Sequence, residues 1–321
     1  MADSSVATGL LIGTADGLFA ADLDGAVDRV LDGRIDAVAR YDGRWFAVAD
    51  GNRLVRGLDH ARRDHAWEQV ADGPRMTAVT VAPESDLGVV FVGTADAQVL
   101  RLEDGALVTL DAFDSVAGRD EWHAVGSSVP YVRSLTATAD GRTVLANVHV
   151  GGIPRTTDGG RSWSPTIEPD ADVHEVRAHP TRPEVVVAAA AVGLATSRDG
   201  GSTWTVTTAG MHASYARAVV VADDTVIVSA SEGPFAQRGA LYRRAVDSDG
   251  VVERCTDGLP EWFPGNVDTG CIDAGGSTVA VGDGGGSVHL SHDAGREWSR
   301  LAIELPPIRA IAVVSGARES G

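Results

Sequence analysis

One short pattern occurs three times in this chain with little variation. It reads Thr156-Thr157-Asp158-Gly159-Gly160-Arg161-Ser162-Trp163, then Ser197-Arg198-Asp199-Gly200-Gly201-Ser202-Thr203-Trp204, then Ser291-His292-Asp293-Ala294-Gly295-Arg296-Glu297-Trp298. All three fit Ser/Thr-x-Asp-x-Gly-x-x-Trp, a spacing suited to a tight hairpin turn. The Asp carboxylate accepts turn N–H groups, the Gly takes a conformation that a side chain opposes, and the Trp packs onto the adjoining strands. One such match carries little weight, but three in frame define a repeat. Asp158 and Asp199 lie 41 residues apart, and Asp199 and Asp293 lie 94 apart, which leaves room for one intervening unit without the pattern.

Each unit carries a β-rich run ahead of the turn, such as Thr143–Val150, Glu184–Ala188 and Thr225–Ser229. Upstream units lack the turn pattern but keep the strands. Gly9-Leu-Leu-Ile-Gly-Thr-Ala-Asp-Gly17 resembles Val89-Val-Phe-Val-Gly-Thr-Ala-Asp96, and Trp45–Asp50 fills the interval between them. Such strands number seven, near residues 10, 45, 89, 143, 185, 225 and 278. Units of roughly 40–45 residues in this number predict an all-β closed ring, a single β-propeller over residues 1–321. Seven blades is the expected count; one miscounted segment would make it six or eight. The run Pro307–Val314 resembles the inner strands Val132–Leu135 and Ala216–Val219, and no second strand follows it. It is therefore expected to complete blade 1, formed from about residues 9–30 plus 307–314, and so to remove exposed sheet edges.

These turns resemble the Asp-box or BNR repeat, in which the key residues here are Asp158 and Trp163, Asp199 and Trp204, and Asp293 and Trp298. The whole chain is similar to the WD40/YVTN/BNR-like propeller group, which includes sialidase-like, sortilin-like and photosystem II assembly factor-like proteins. The resemblance implies a fold and not a chemistry. Asp boxes of this group lie on the face opposite the usual ligand site. The sialidase pattern is not matched, since Gly151-Gly-Ile-Pro-Arg155 differs from the early Arg-Ile-Pro motif in order and position.

The net charge is −18, and all 27 basic residues are arginine. Such an acidic chain disfavours nucleic acid and anionic membranes as partners and fits a salt-adapted or GC-rich host. The first residues, Met1–Ser5, carry no basic segment, and no apolar run reaches the ~20 residues of a membrane span. A cytoplasmic monomer is the expectation. Cys255 and Cys271 read as two buried, reduced thiols.

The candidate site lies where inner strands begin. Arg133, Arg177, Arg217 and Arg309 each follow an apolar residue and precede Ser or Ala, so they read as equivalent positions that could converge on the channel mouth. Such a cluster would suit a carboxylate or phosphate. The competing reading makes them inter-blade clamps, with Asp16, Asp50, Asp96 and Asp283 as partners. His123, Tyr131, His174 and His212 lie in the connections to those strands and join the ligand-binding candidates, while His60, His65 and His292 read as outer-turn residues. The expected function is a binding or scaffold protein for an anionic small molecule or acidic peptide. The alternatives are a hydrolase or lyase on the same kind of substrate, with His149, Tyr215 and Glu232 exchanging protons, and a protein assembly factor with an apolar face. No cofactor is predicted. A divalent metal at the mouth lacks a compact ligand spacing, so no metal residues are assigned. Two long connections, residues 111–130 and 231–240, mark further functional candidates.

Overall fold

The computed structural model describes residues 7–58, 67–84, 88–127 and 129–315. Met1–Ser5, His60 and His65 lie outside them. Seven four-stranded antiparallel sheets succeed one another around a central channel. From blade 1 to blade 7, the innermost strands are Ile308–Ser315, Ile35–Tyr41, Met76–Ala82, Val132–Ala137, Val173–Ala178, Tyr215–Ala222 and Ile272–Gly275. The chain is a seven-bladed β-propeller. Blade 1 is closed by both ends of the chain: Ile308–Ser315 pairs antiparallel with Ala7–Thr14, with Leu10 opposite Val313 and Ile12 opposite Ile311.

The second strand of each blade is sandwiched between two neighbouring blades, so both of its faces are buried. This explains why Val144–Val148, Val186–Ala190 and Thr278–Gly282 read as nearly continuous apolar runs and not as alternating ones. Close packing between blades also requires glycine at one recurring position. A Cβ on Gly13 would lie 2.7 Å from Ile35 Cγ2, on Gly93 2.3 Å from Val132 Cγ1, and on Gly282 2.5 Å from Ile308 Cγ2. In each case the partner opens the innermost strand of the next blade.

The three repeated turns join third to fourth strands, at the opposite end of the blades from the starts of the inner strands. Asp158 Oδ1 accepts the Ser162 N–H at 3.0 Å, and Asp199 and Asp293 accept the equivalent turn N–H groups at 2.9–3.0 Å. Hydrogen bonds from the Ser162 hydroxyl and N–H hold the Asp158 carboxyl down at about 2. Each turn also receives an arginine from the third strand of the preceding blade. Arg101 donates to Gly159 O at 3.2 Å, Arg155 to Gly200 O at 2.7 Å and Arg243 to Ala294 O at 3.4 Å.

At that accepting position Gly159 and Gly200 have φ of +71° and +68°, whereas Ala294 is held at +56°. Replacing Ala294 by glycine relieves the left-handed strain, and denaturant unfolding should show a gain of about 0.5–1 kcal/mol.

Candidate functional site at the channel mouth

Six of the inner strands begin with the same irregularity, one extra residue opposite the second strand. The residues on this bulge are Asp36, Thr77, Arg133, His174, Arg217 and Arg309. A bulge re-aims its side chain, and here Asp36, Thr77, Arg133 and Arg309 line the channel, while His174 is buried beside Asp172 and Arg217 pairs with Asp268. The expected equivalence of four arginines therefore needs correction. Arg133, Arg217 and Arg309 share the bulge position, but Arg177 pairs regularly with Val187 three residues deeper, and His174 holds the rim position of blade 5.

The carboxylate partners also differ from those expected. Arg217 pairs with Asp268, and Arg309 Nη2 donates to Asp36 Oδ1 at 2.9 Å. Asp50 instead engages Arg53, and Asp283 caps its own turn through the Gly285 and Ser287 N–H groups. Arg133 is held differently: its Nε donates to the Thr269 hydroxyl at 3.2 Å, and it has no carboxylate partner among the described residues.

Asp268-Thr269-Gly270, which the sequence did not single out, crosses the mouth. Besides taking Arg133, Thr269 donates to His174 O at 2.9 Å, and the Gly270 N–H donates to Glu175 Oε1 at 3.2 Å. Below them the channel has a volume of about 710 Å³ and is walled largely by Ala, Val and Thr. Inside it, Arg177 Nε donates to Glu175 Oε1 at 2.9 Å and its Nη1 lies 3.9 Å from Asp273 Oδ1. Glu175 also accepts the Val219 N–H of blade 6, and Asp273 accepts the Val313 N–H of blade 1. Burial pushes both carboxyls up. Burial opposes the charge of Arg177 as well, but the two carboxylates outweigh it and raise the guanidinium further. Arg177 thus lies between Glu175 of its own strand and Asp273 of blade 7, the geometry expected of an inter-blade clamp.

On the blade 4–6 side of the rim, Asp172 lies between two imidazoles. His149 Nε2 is 3.6 Å from its Oδ1 and His174 Nε2 is 3.4 Å from its Oδ2. Tyr131 packs against His149 and Tyr215 against His174, with ring centroids 4.9 and 4.6 Å apart. Burial holds His149 down at about 4, helped by the charge of Arg133, and His174 is lowered for the same reasons. The imidazoles address different oxygens of Asp172. Among the described residues no set of three His, Cys, Asp or Glu side chains is arranged to hold a metal ion.

The remaining candidates lie apart from this group. His123 sits exposed on the 111–130 connection, its Nδ1 3.2 Å from Glu121 O. That connection is anchored by Phe113 and Trp122, with Phe113 edge-on to Trp163 at 4.9 Å. His212 contacts the Tyr242 hydroxyl at 2.7 Å and packs on Trp262. Glu232 pairs with Arg238 on the 231–240 loop, and its charge acts on His212. His149 and Tyr215 are therefore neighbours of the Asp172 group, and Glu232 belongs to the outer loop. Both thiols are buried, and burial pushes Cys255 up to about 12 and Cys271 higher still. No helix among the described residues is long and apolar enough to cross a membrane.

Seven four-stranded blades around a channel with a polar mouth define a β-propeller, a fold in which function is carried by the site and not by the architecture. Among solved structures, the chain is similar to the WD40 repeats of RRP9, with a TM-score of 0.62 at 15% identity, covering 87% of this chain and 83% of that one. The WD40 propeller domain of Doa1 gives a TM-score of 0.60 at 14% identity, covering 94% and 86%. A Niastella koreensis GH74 enzyme gives 0.58 at 14% identity; the match covers 91% of this chain but only 46% of the enzyme. These likenesses show the fold. No family model and no curated protein sequence matches the chain.

Proposed function

We propose that this chain is a binding propeller that engages a protein or peptide partner on the face carrying the channel mouth, where Arg133 takes an anionic group such as a carboxylate. The observation that supports this is the contrast among the rim arginines. Arg217 and Arg309 are committed to Asp268 and Asp36, while Arg133 is held only through a neutral hydroxyl. A carboxylate offered to Arg133 therefore displaces no existing ion pair. Loops on the same face carry exposed apolar groups, with Phe235 92% exposed at the tip of the 231–240 loop and Val125 and Val129 exposed on the long connection. Phe235, the most exposed of these, offers an apolar contact beside the mouth that a peptide or protein partner could cover. The three Ser/Thr-x-Asp-x-Gly-x-x-Trp turns support a BNR-type assignment within the propellers, and the lysine-free composition with its net charge of −18 supports a salt-adapted host.

Fluorescence anisotropy with acidic peptides and their amidated, neutral counterparts tests the reading. Arg133→Gln should weaken the acidic peptide about 10- to 150-fold, the effect of losing a charged hydrogen bond worth roughly 1.5–3 kcal/mol. Arg161→Gln, on a repeated turn at the opposite end of the blades, should leave affinity unchanged. Equal affinity of wild type and Arg133→Gln for the acidic peptide would overturn the assignment.

A further inference from the structure

The geometry beside Arg133 points to regulation of that same site: we propose that capture of an anion at Arg133 is coupled to proton uptake by the buried His149–Asp172–His174 group, so that the mouth holds anions more tightly in acid. This rests on the reading of Arg133 as the anion-binding residue.

His174 is fully buried. Its Nδ1 lies 2.5 Å from Ala216 O. A carbonyl only accepts, so Nδ1 carries the ring proton and donates it. With one proton on the ring, Nε2 presents a lone pair to Asp172 Oδ2, 3.4 Å away. Two acceptors then face one another in a largely buried site, where an unmatched polar contact is costly. His149 faces the other oxygen of the same carboxylate. His149 Nδ1, His174 Nε2 and Asp172 Oδ1 are all buried without a hydrogen-bond partner. Asp172 itself sits in left-handed backbone at φ +45°, a strained conformation for a residue with a side chain, immediately after the short turn Pro169–Ala171. One proton added to His174 Nε2 would turn facing acceptors into a charged donor–acceptor pair.

Burial and charge keep that proton off. Burial is the largest influence on both rings, and Arg133 is the largest positive charge acting on either. Arg133 reaches the group from the inner strand of blade 4, with Tyr131 just before it. Arg217, from the inner strand of blade 6, opposes protonation of His149, and Tyr215 packs on His174. Asp172 favours protonation of both rings, and the charge of His174 opposes protonation of His149. An anion on Arg133 cancels one of the opposing charges. The sign follows directly: the imidazoles have a higher proton affinity in the bound state than in the free state. A proton is therefore taken up between the free value of His149, about 4, and the ordinary imidazole value of about 6.5. Anion affinity rises as pH falls through that window, by at most about tenfold per pH unit for one proton, and is flat outside it.

Two measurements on the full chain test the coupling. The first is an NMR titration of the histidine side chains in wild type and Arg133→Gln, with His149→Gln used to assign the resonance. Removing the guanidinium should raise the His149 midpoint by about one pH unit or more; an unchanged midpoint would overturn the coupling whether or not any anion binds. The second is calorimetric titration with sodium sulfate at pH 7 and pH 5. Tighter binding at pH 5, with the difference flattened in His149→Gln, is expected. Sulfate binding of equal strength at both pH values would overturn the coupling and leave Arg133 as an anion site. Absence of sulfate binding at either pH would overturn the anion reading of Arg133, and the NMR comparison would still decide whether Arg133 controls the buried proton.

Discussion

Replacing Arg177 with methionine is expected to lower folding stability by about 3 kcal/mol at pH 7.5. The change strands two carboxylates, Glu175 and Asp273, that are held in the channel wall by backbone N–H groups of the neighbouring blades. Breaking a buried pair from one side costs about 3–5 kcal/mol, because the remaining charge keeps its desolvation penalty and loses its partner. The Arg177 side chain is 30% exposed to the channel, so some screening remains and the lower end of that range applies. The effect should depend on pH in a defined direction. Burial raises both carboxyls in the folded state, and a raised carboxyl contributes stability in acid that is lost as pH rises through its folded value. Without Arg177 they rise further. The deficit should therefore be larger at pH 7.5 than at pH 5, and Glu175→Gln in the Arg177→Met background should recover part of it. Guanidinium unfolding of the single and double variants at both pH values provides the check, and an equal deficit at both would remove Arg177 from its clamp role.

Gly93→Ala is expected to cost about 1–3 kcal/mol, the usual penalty for overpacking a tight joint. The new methyl carbon would lie 2.3 Å from Val132 Cγ1 and 2.6 Å from Val132 Cβ, so either the side chain or the whole of blade 4 must shift. Val132→Ala should cost stability alone by leaving space, yet restore much of the loss when combined with Gly93→Ala. Gly284→Ala is the control, since its Cβ would meet nothing within 4 Å and its backbone is not in the left-handed region. Thermal unfolding of the four variants tests for this non-additivity, and simple additivity would show that Gly93 is not set by its contact with the next blade.

The ring was legible because its signals are local. A second strand buried on both faces must be apolar throughout, so seven such runs could be counted without knowing what they pack against. The resemblance of residues 307–314 to other inner strands identified the closing strand for the same reason. The channel mouth was harder to read because a bulge has no fixed sequence. Arg177 follows Val176 and precedes Ala178, just as Arg217 stands between Ala216 and Ala218. Only the pairing register shows that one lies on the bulge and the other three residues below it. Asp36, Asp268 and Asp273 escaped notice because they face arginines of other blades, at separations in sequence that reach 273 residues. The arginines Arg101, Arg155 and Arg243 that bind the repeated turns were missed for a related reason, since the contact joins one blade to the next while the repeat was read within blades.

The closure of blade 1 by strands from opposite ends of the chain also bears on how the protein is made. Ala7–Thr14 leaves the ribosome about 300 residues ahead of its partner Ile308–Ser315. At about 5–20 residues per second this interval lasts roughly 15–60 s. Throughout it, an apolar strand with a row of unsatisfied backbone groups has no native neighbour on its inner edge, the kind of template that recruits other chains. The nascent chain is consequently exposed to misassembly until Ile308–Ser315 has emerged. A circular permutant that begins between blades 1 and 2 and joins residue 315 to residue 7 by a short linker would carry both strands of that pair close together, and it should aggregate less during synthesis than the natural order does.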